Sequence, residues 1–131
     1  MREILFRGKR TINGDWVYGY YVHIGPVSCQ MTYIIPEYAS SLYVNEVDPS
    51  TVGQYTGLKD KNGKRIFEGD IAKVLQGKDK DIAYVGFENG AFMLYPKTGN
   101  IYERTLWEYW YNDWDVEVIG NITDNQELLE K

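Results

Sequence analysis

The carboxylates best placed for chemistry lie in one short run of the chain. Glu68 and Asp70 are two residues apart, so on a strand they would face the same way, and Asp60 can approach them across a turn. General acid–base chemistry needs one such carboxyl group removed from water, so that its pKa rises. Binding of a hard cation needs several oxygen ligands around one point. The run lacks calcium-loop spacing and turn carboxylates are usually solvated caps, so we expect neither a catalytic residue nor a metal ligand here.

A nucleophile and a base can also be named. Cys29 is the only cysteine and His23 the only histidine, and a hairpin across Gly25-Pro26 can bring them together. The sequence shows no third group to orient the histidine, so a buried thiol is the preferred interpretation. A single cysteine excludes an internal disulfide and a cysteine-rich zinc site. Glycine motifs that cradle phosphates do not occur. We therefore expect a protein that is not an enzyme and holds no cofactor.

Large aromatic side chains are concentrated near the end of the chain. Five of them fall within eight residues: Trp107, Tyr109, Trp110, Tyr111 and Trp114. The i, i+3, i+4, i+7 spacing of four of these favours a short helix within residues 105–114. The alternative is a strand, on which Trp107, Tyr109 and Tyr111 would share one side and Trp110 would lie on the other. One interpretation packs the rings on the core. The other makes them a protein interface, because Trp and Tyr anchor such contacts, with acidic neighbours that steer a basic partner or a second copy of the chain.

Charge is distributed unevenly. Residues 59–80 carry a net charge of +3, residues 103–131 carry −6, and the whole chain carries −5. Basic residues near Tyr55 and Phe67 suggest a candidate nucleic-acid face, made of Lys59, Lys61, Lys64, Arg65 and Lys73. Small barrels do bind oligonucleotides on a strand face. The acidic balance of the chain argues against this alternative, because phosphate affinity comes from Lys and Arg.

The composition favours strands. Val, Ile, Thr, Tyr, Phe and Trp together number 48, against 15 for Ala, Leu and Met. Alternation and turn residues predict strands at residues 4–10, 16–23, 31–35, 41–44, 71–75, 82–87, 91–95 and 116–119. Asn62-Gly63 predicts a type I′ turn or a tight loop, and a hairpin is expected across residues 88–90. We predict an all-β domain, or mainly β with one or two short helices, shaped as a small, partly closed β-barrel over residues 1–131.

A membrane location is not expected. The longest uncharged stretch, residues 16–36, contains His23, Pro26, Gln30 and Pro36, which would break a helix or bury polar groups in lipid. The start of the chain lacks the apolar segment of a signal peptide. The sequence therefore predicts a cytoplasmic protein.

The central run TVGQYTGLKDKNGKRIFEGDI, residues 51–71, resembles the signature of the YopX family. The FRG and WVYG segments near the start and the VIGNI segment near the end are also similar to that family. The resemblance implies a bacteriophage or prophage origin, a mainly β fold and no established activity, and it supplies no catalytic residue. Because the run is rich in glycine and short acidic side chains, we interpret it as a fold signature. The hypothesis is a non-catalytic interaction module whose partner is a host or phage protein, or a second copy.

Overall fold

The structure is a computed structural model that describes residues 2–25, 31–37 and 44–130. The strands are β1 (Phe6–Lys9), β2 (Trp16–Ile24), β3 (Met31–Pro36), β4 (Asn45–Glu46), β5 (Gly53–Lys59), β6 (Arg65–Phe67), β7 (Asp70–Gln76), β8 (Asp79–Glu88), β9 (Ala91–Pro96), β10 (Arg104–Thr105) and β11 (Asp115–Asn121). One α-helix, α1 (Leu106–Tyr111), and 3-10 turns at Pro49–Thr51 and Gln126–Leu129 complete the described part. The predicted mainly β class with short helices is confirmed.

Antiparallel pairing organises these strands into two sheets, and the described residues do not close a barrel. The chain divides into two compact units, Met1–Tyr55 and Thr56–Lys131, and strand β5 spans the boundary. A single domain over residues 1–131 stays a prediction. Of the strand predicted at residues 41–44, residues 41–43 lie outside the described residues, as does Cys29. None of the helices in the described ranges has the length and apolar character needed to cross a membrane.

The first unit is an antiparallel arrangement of strands in the order β4, β3, β2, β1, β5. Its register pairs Phe6 with Gly19 and Gly19 with Pro36. A Cβ atom at Gly19 would lie 1.9 Å from the backbone oxygen of Ile35, so only glycine fits where the strands approach. The buried side chains of this unit include Leu5, Ile34 and Val47.

The second unit contains a five-stranded sheet in the order β10, β9, β8, β7, β11. Alternate side chains of its strands face one hydrophobic core, as the period of two requires. That core comprises Ile66, Ala72, Val74, Ala83, Val85, Leu94, Ile101, Leu106, Tyr109, Val116 and Val118. Two of these come from α1, so the helix covers one face of the sheet.

Turn chemistry differs between the two Asn-Gly pairs of this unit. Asn89 and Gly90 have φ of 54° and 83°, and Glu88 pairs with Ala91, which defines a two-residue hairpin of the type I′ kind. At Asn62-Gly63 only Gly63 has positive φ, at 81°, and the Asp60 N–H donates to the Lys64 carbonyl at 2.8 Å. The tight loop is confirmed there, and the type I′ alternative is wrong because the Asp60 carboxylate organises a longer loop.

Candidate interaction surface

Helix α1 begins with a capping box. The Thr105 side chain accepts a hydrogen bond from the Glu108 N–H at 3.2 Å, and the Thr105 N–H donates to the Glu108 carboxylate at 3.3 Å. Arg104 lies 3.3 Å from the same carboxylate. The Thr105 backbone N–H, helped by the Thr105 hydroxyl and by Arg104, holds the pKa of Glu108 below its usual value. The start of the helix, and therefore its rotation about its axis, is fixed by these contacts.

With the helix in this rotation, the five predicted interface residues fall into a group that packs on the core and a group that faces outward. Tyr109 is fully buried beside Leu106 in the core, so it is part of the core rather than of the surface. Burial raises the pKa of Tyr109 to about 12, and its hydroxyl donates to the Tyr102 carbonyl at 3.3 Å. Trp114 is partly buried and packs edge-to-face on Tyr109, with ring centroids 5.2 Å apart. The Arg104 guanidinium lies 5.5 Å from the Trp114 ring centre.

The other three rings face outward. Trp107, Trp110 and Tyr111 are 54%, 58% and 67% exposed, and we call them the aromatic patch. Trp107 and Tyr111 stand one turn apart and stack, with ring centroids 4.9 Å apart and an interplanar angle of 19°. Three neighbouring rings on a helix of six residues form an exposed apolar surface with a fixed geometry.

The helix ends in a Schellman motif. The Asp113 N–H donates to the Trp110 carbonyl at 3.2 Å, and the Trp114 N–H donates to the Tyr109 carbonyl at 3.1 Å. Asp113 occupies the left-handed position, with φ of 57°, which glycine usually fills. This reversal of the chain turns Trp114 back toward the core and leaves the Asp113 carboxylate beside the aromatic patch.

A groove of about 210 Å³ adjoins the patch. Its apolar lining includes Trp110, Trp114 and Ile66. Its charged lining consists of three acidic residues and two lysines: Asp60, Asp113, Asp115, Lys59 and Lys61. Glu103, Glu108, Asp113 and Asp115 against Arg104 give residues 103–115 a net charge of −3. The surface therefore combines flat rings, a partly apolar groove with charges of both signs, and an acidic neighbouring segment.

The carboxylates considered for catalysis have structural partners. Asp70 is buried, and its Oδ2 accepts a hydrogen bond from the Phe67 N–H at 2.7 Å. Glu68 lies in the turn between β6 and β7, so Glu68 and Asp70 do not share a strand. Asp60 is buried, and its carboxylate accepts hydrogen bonds from the N–H groups of Asn62, Lys64 and Val118, each at 2.9 Å. Asp60 and Asp70 therefore hold the backbone in place.

Other candidate ligands are dispersed. In the ranges that the structure describes, no three His, Cys, Asp or Glu side chains are grouped closely enough to hold a metal ion. His23 lies 3.1 Å from the Thr32 hydroxyl and stacks on Tyr21. Its suggested partner, Cys29, is outside the described residues.

The proposed nucleic-acid face is split. Lys59, Lys61, Lys64 and Arg65 belong to the β5–β6 hairpin, whereas Lys73 stands on β7. The Lys61 ammonium lies 3.6 Å from Glu117, which is the cross-strand partner of Lys73. An acidic side chain thus separates the two groups of cations.

Lys80 and Lys97 are not among the five named residues of the candidate nucleic-acid face. They share a pocket with Lys73, Thr98 and Asn100. The sequence does contain a signal for Lys97. The two-residue hairpin at Asn89-Gly90 fixes the pairing register of its two strands, and that register places Lys97 opposite Ile82. The strand predicted at residues 91–95 ends before Lys97, so the strand prediction alone does not place Lys97 on the sheet.

Comparison with known proteins identifies related chains. A family model described as YopX protein matches residues 5–130. The chain is similar to the crystal structure of protein EF1440 from Enterococcus faecalis, with a TM-score of 0.56 and 23% sequence identity. That similarity covers 99% of this chain and 100% of the other, and at this identity it concerns the fold alone. Curated proteins give no match.

Proposed function

The chain belongs to the YopX family, and on the geometry of the aromatic patch we propose that it is a non-catalytic protein-interaction module. In this proposal it is encoded by a phage or prophage and acts in the cytoplasm of the bacterial host. The observation that carries the proposal is the outward orientation of Trp107, Trp110 and Tyr111 on a helix whose other face is buried.

Energetics support a binding role for these rings. Burying one large ring at an interface contributes most when a pocket or neighbouring rings exclude water around it. Trp110 meets that condition, because it lines the groove as well as the patch. Trp107 and Tyr111 are already stacked, so little rotamer entropy remains to be lost when a partner covers them.

The occupant we propose is a segment of a partner protein that carries Lys or Arg beside an apolar side chain. The apolar side chain would fill the groove next to Trp110, and the cation would lie near Asp113 and Asp115 or over a ring face. A second copy of this chain would place like charges together, because the patch itself lies in a segment of net charge −3. The three carboxylates of the groove also outnumber its two lysines, Lys59 and Lys61, so charge favours a basic partner over self-association.

The test is peptide selection followed by titration. Peptides are selected from a random display library on the full-length protein, and the tightest is titrated against wild type and variants by tryptophan fluorescence and calorimetry. We expect the selected peptides to be enriched in Lys or Arg and apolar residues. Trp110→Ala should weaken binding by about 30-fold or more, as buried aromatic anchors do. Asp115→Asn should slow association at low salt but not at high salt.

Tyr102→Ala is the matched control, because Tyr102 is an exposed ring, 76% accessible, outside the groove. It should bind like wild type. If Trp110→Ala binds the selected peptides as wild type does, the proposal is wrong. If light scattering shows a dimer that Trp110→Ala dissociates, the occupant is a second copy and the basic partner is wrong.

The nucleic-acid alternative has weaker support. The four cations of the β5–β6 hairpin, Lys59, Lys61, Lys64 and Arg65, are the feature that favours it. Glu117 interrupts this face and the chain is acidic overall, so few counterions would be released from a polyanion. Retardation of a single-stranded oligonucleotide at physiological salt, lost in Lys64→Gln, would favour this alternative over the protein interface.

A further inference from the structure

A second cavity, lined by lysines, lies in the same unit as the aromatic patch but is built from different elements. It measures about 300 Å³, and we call it the lysine pocket; Lys73, Lys80, Lys97, Ile82, Thr98 and Asn100 line it together with Asp81. This volume lies at the lower end of the range for small-molecule sites.

Strand register brings the three lysines together. Lys73 pairs with Ile82 across β7 and β8, and the Lys97 N–H donates to the Ile82 carbonyl at 2.7 Å. Directly opposed residues share a face of the sheet, so Lys73 and Lys97 flank Ile82 on one face. Lys80 is two residues before Ile82 on β8 and therefore points to that face too. Three ammonium groups surround one apolar side chain.

These charges are poorly compensated by acidic side chains. Throughout residues 2–25, 31–37 and 44–130, neither Lys73 nor Lys80 lies within ion-pair distance of a carboxylate. Glu117, the cross-strand partner of Lys73, instead contacts Lys61 at 3.6 Å. Lys97 donates to the Leu128 carbonyl at 3.4 Å. Like charges that line one pocket repel one another, and an anion between them would relieve that repulsion.

Asp81 does not neutralise the pocket by pairing with a lysine. Its carboxylate accepts hydrogen bonds from the Thr98 N–H and hydroxyl, the Asn100 N–H and the Ile82 N–H, at distances from 2.8 to 3.2 Å. Burial acts to raise the pKa of Asp81, but these hydrogen bonds outweigh it and hold the pKa below the usual value. Asp81 thus fixes the loop that forms one wall, and the pocket keeps a positive balance of three ammonium groups against one carboxylate.

We propose that the lysine pocket binds the phosphate group of a small phosphorylated molecule. Lysine presents a compact charge with three donors, which suits a tetrahedral, multiply charged oxyanion. A planar carboxylate would favour the forked geometry of arginine instead. The acidic balance of the chain opposes a long polyanion, whereas a small ligand interacts mainly with the charges of the pocket itself.

The experiment is a titration of the ¹⁵N-labelled full-length protein with pyrophosphate, followed by NMR. We expect saturable shifts at the backbone amides of Thr98 and Asn100. Lys80→Gln and Lys73→Gln should each weaken the affinity about ten-fold, the loss typical of one charge-assisted contact. Lys78→Gln is the control: it removes the same charge at the tip of the β7–β8 turn, outside the pocket lining, and should leave the affinity unchanged.

Two results would overturn the proposal. The first is the lack of saturable shifts at Thr98 and Asn100 in the folded wild type at millimolar pyrophosphate. The second is an equal loss of affinity in Lys78→Gln and Lys80→Gln, which would indicate diffuse attraction. An oligothymidylate serves as the comparison probe. If it binds through Lys73 and Lys80 while pyrophosphate does not, the pocket contacts a nucleic-acid backbone and the small-molecule proposal is wrong.

Discussion

Removal of the Asp60 carboxylate should unfold the protein at a lower temperature. This side chain is only 8% exposed, and it accepts hydrogen bonds from the N–H groups of Asn62, Lys64 and Val118. Its Oδ1 holds the loop between β5 and β6, and its Oδ2 holds β11, 58 residues further along the chain. One carboxylate therefore joins a local turn to a distant strand.

The magnitude follows from what each N–H group loses in Asp60→Ala. The Val118 N–H is buried, and leaving it without an acceptor costs about 2 kcal/mol. Water can reach the exposed loop residues Asn62 and Lys64, so the loss of the hydrogen bond from each of their N–H groups costs about 0.5 kcal/mol. The sum, about 3 kcal/mol, is a large part of an ordinary domain's stability. With an unfolding entropy of about 2 cal/mol/K per residue, the midpoint should fall by roughly 10 °C.

Asp60→Asn sharpens the test. An amide has one acceptor oxygen, so in either orientation its NH₂ group would face a backbone N–H, and we expect nearly the same loss as for alanine. Asp79→Asn, at an exposed strand end, is the control and should change the free energy of unfolding by less than about 0.5 kcal/mol. Urea unfolding of all three variants measures this. A variant at position 60 as stable as Asp79→Asn would refute the idea that the central motif holds the fold.

Three further predictions concern backbone geometry and one titration. Asp113→Gly should stabilise the protein by about 0.5–1 kcal/mol, because Asp113 has a φ of 57° and its negative charge lies at a helix C-terminus; a lower thermal midpoint would contradict this. Gly19→Ala should abolish soluble folding, because its Cβ would lie 1.9 Å from a backbone oxygen. In Gly86→Ala the new Cβ meets a tyrosine ring that can turn, so urea unfolding should show a smaller loss of stability. The hydrogen bond that the Tyr95 hydroxyl donates to Glu88 raises the pKa of Tyr95 to about 12. The contribution of this hydrogen bond to stability is therefore present below pH 10 and is lost as the pH rises to about 12. In Glu88→Gln the tyrosinate absorbance of Tyr95 should appear at a lower pH, and an unchanged titration would show that the hydrogen bond is not the cause.

Local chemistry could be predicted from the sequence where a few neighbouring residues decide the structure. Strand β2 was predicted because its aromatic and β-branched side chains divide between two faces at a period of two. The hairpin at Asn89-Gly90 was predicted because both residues tolerate positive φ. The helix was predicted from ring spacing. Asn62-Gly63 offers the same pair of residues, but Asp60, two positions before Asn62, competes for the backbone N–H groups and gives another turn.

The sequence does not predict which aromatic rings of α1 face the core. Leu106, Trp107, Tyr109, Trp110 and Tyr111 surround α1 with apolar side chains, so no hydrophobic stripe marks an inner face. The capping box at Thr105 and the sheet beneath the helix decide that Tyr109 is buried and Trp110 exposed. Likewise, closure of a barrel depends on pairing between distant strands, and here the strands form two sheets instead.

The geometry of the central loop also bears on where a binding site would lie. The Lys61 N–H donates to the Val116 carbonyl at 3.0 Å, and Asp60 accepts from the Val118 N–H, so the loop is tied to β11. Asp60, Lys61 and Val116 are also part of the groove lining beside Trp110. The contacts that hold the fold therefore shape one wall of the candidate surface. For this reason Asp60→Ala should weaken peptide binding only as far as it unfolds the protein or distorts that wall, whereas Trp110→Ala should weaken binding with the wall intact.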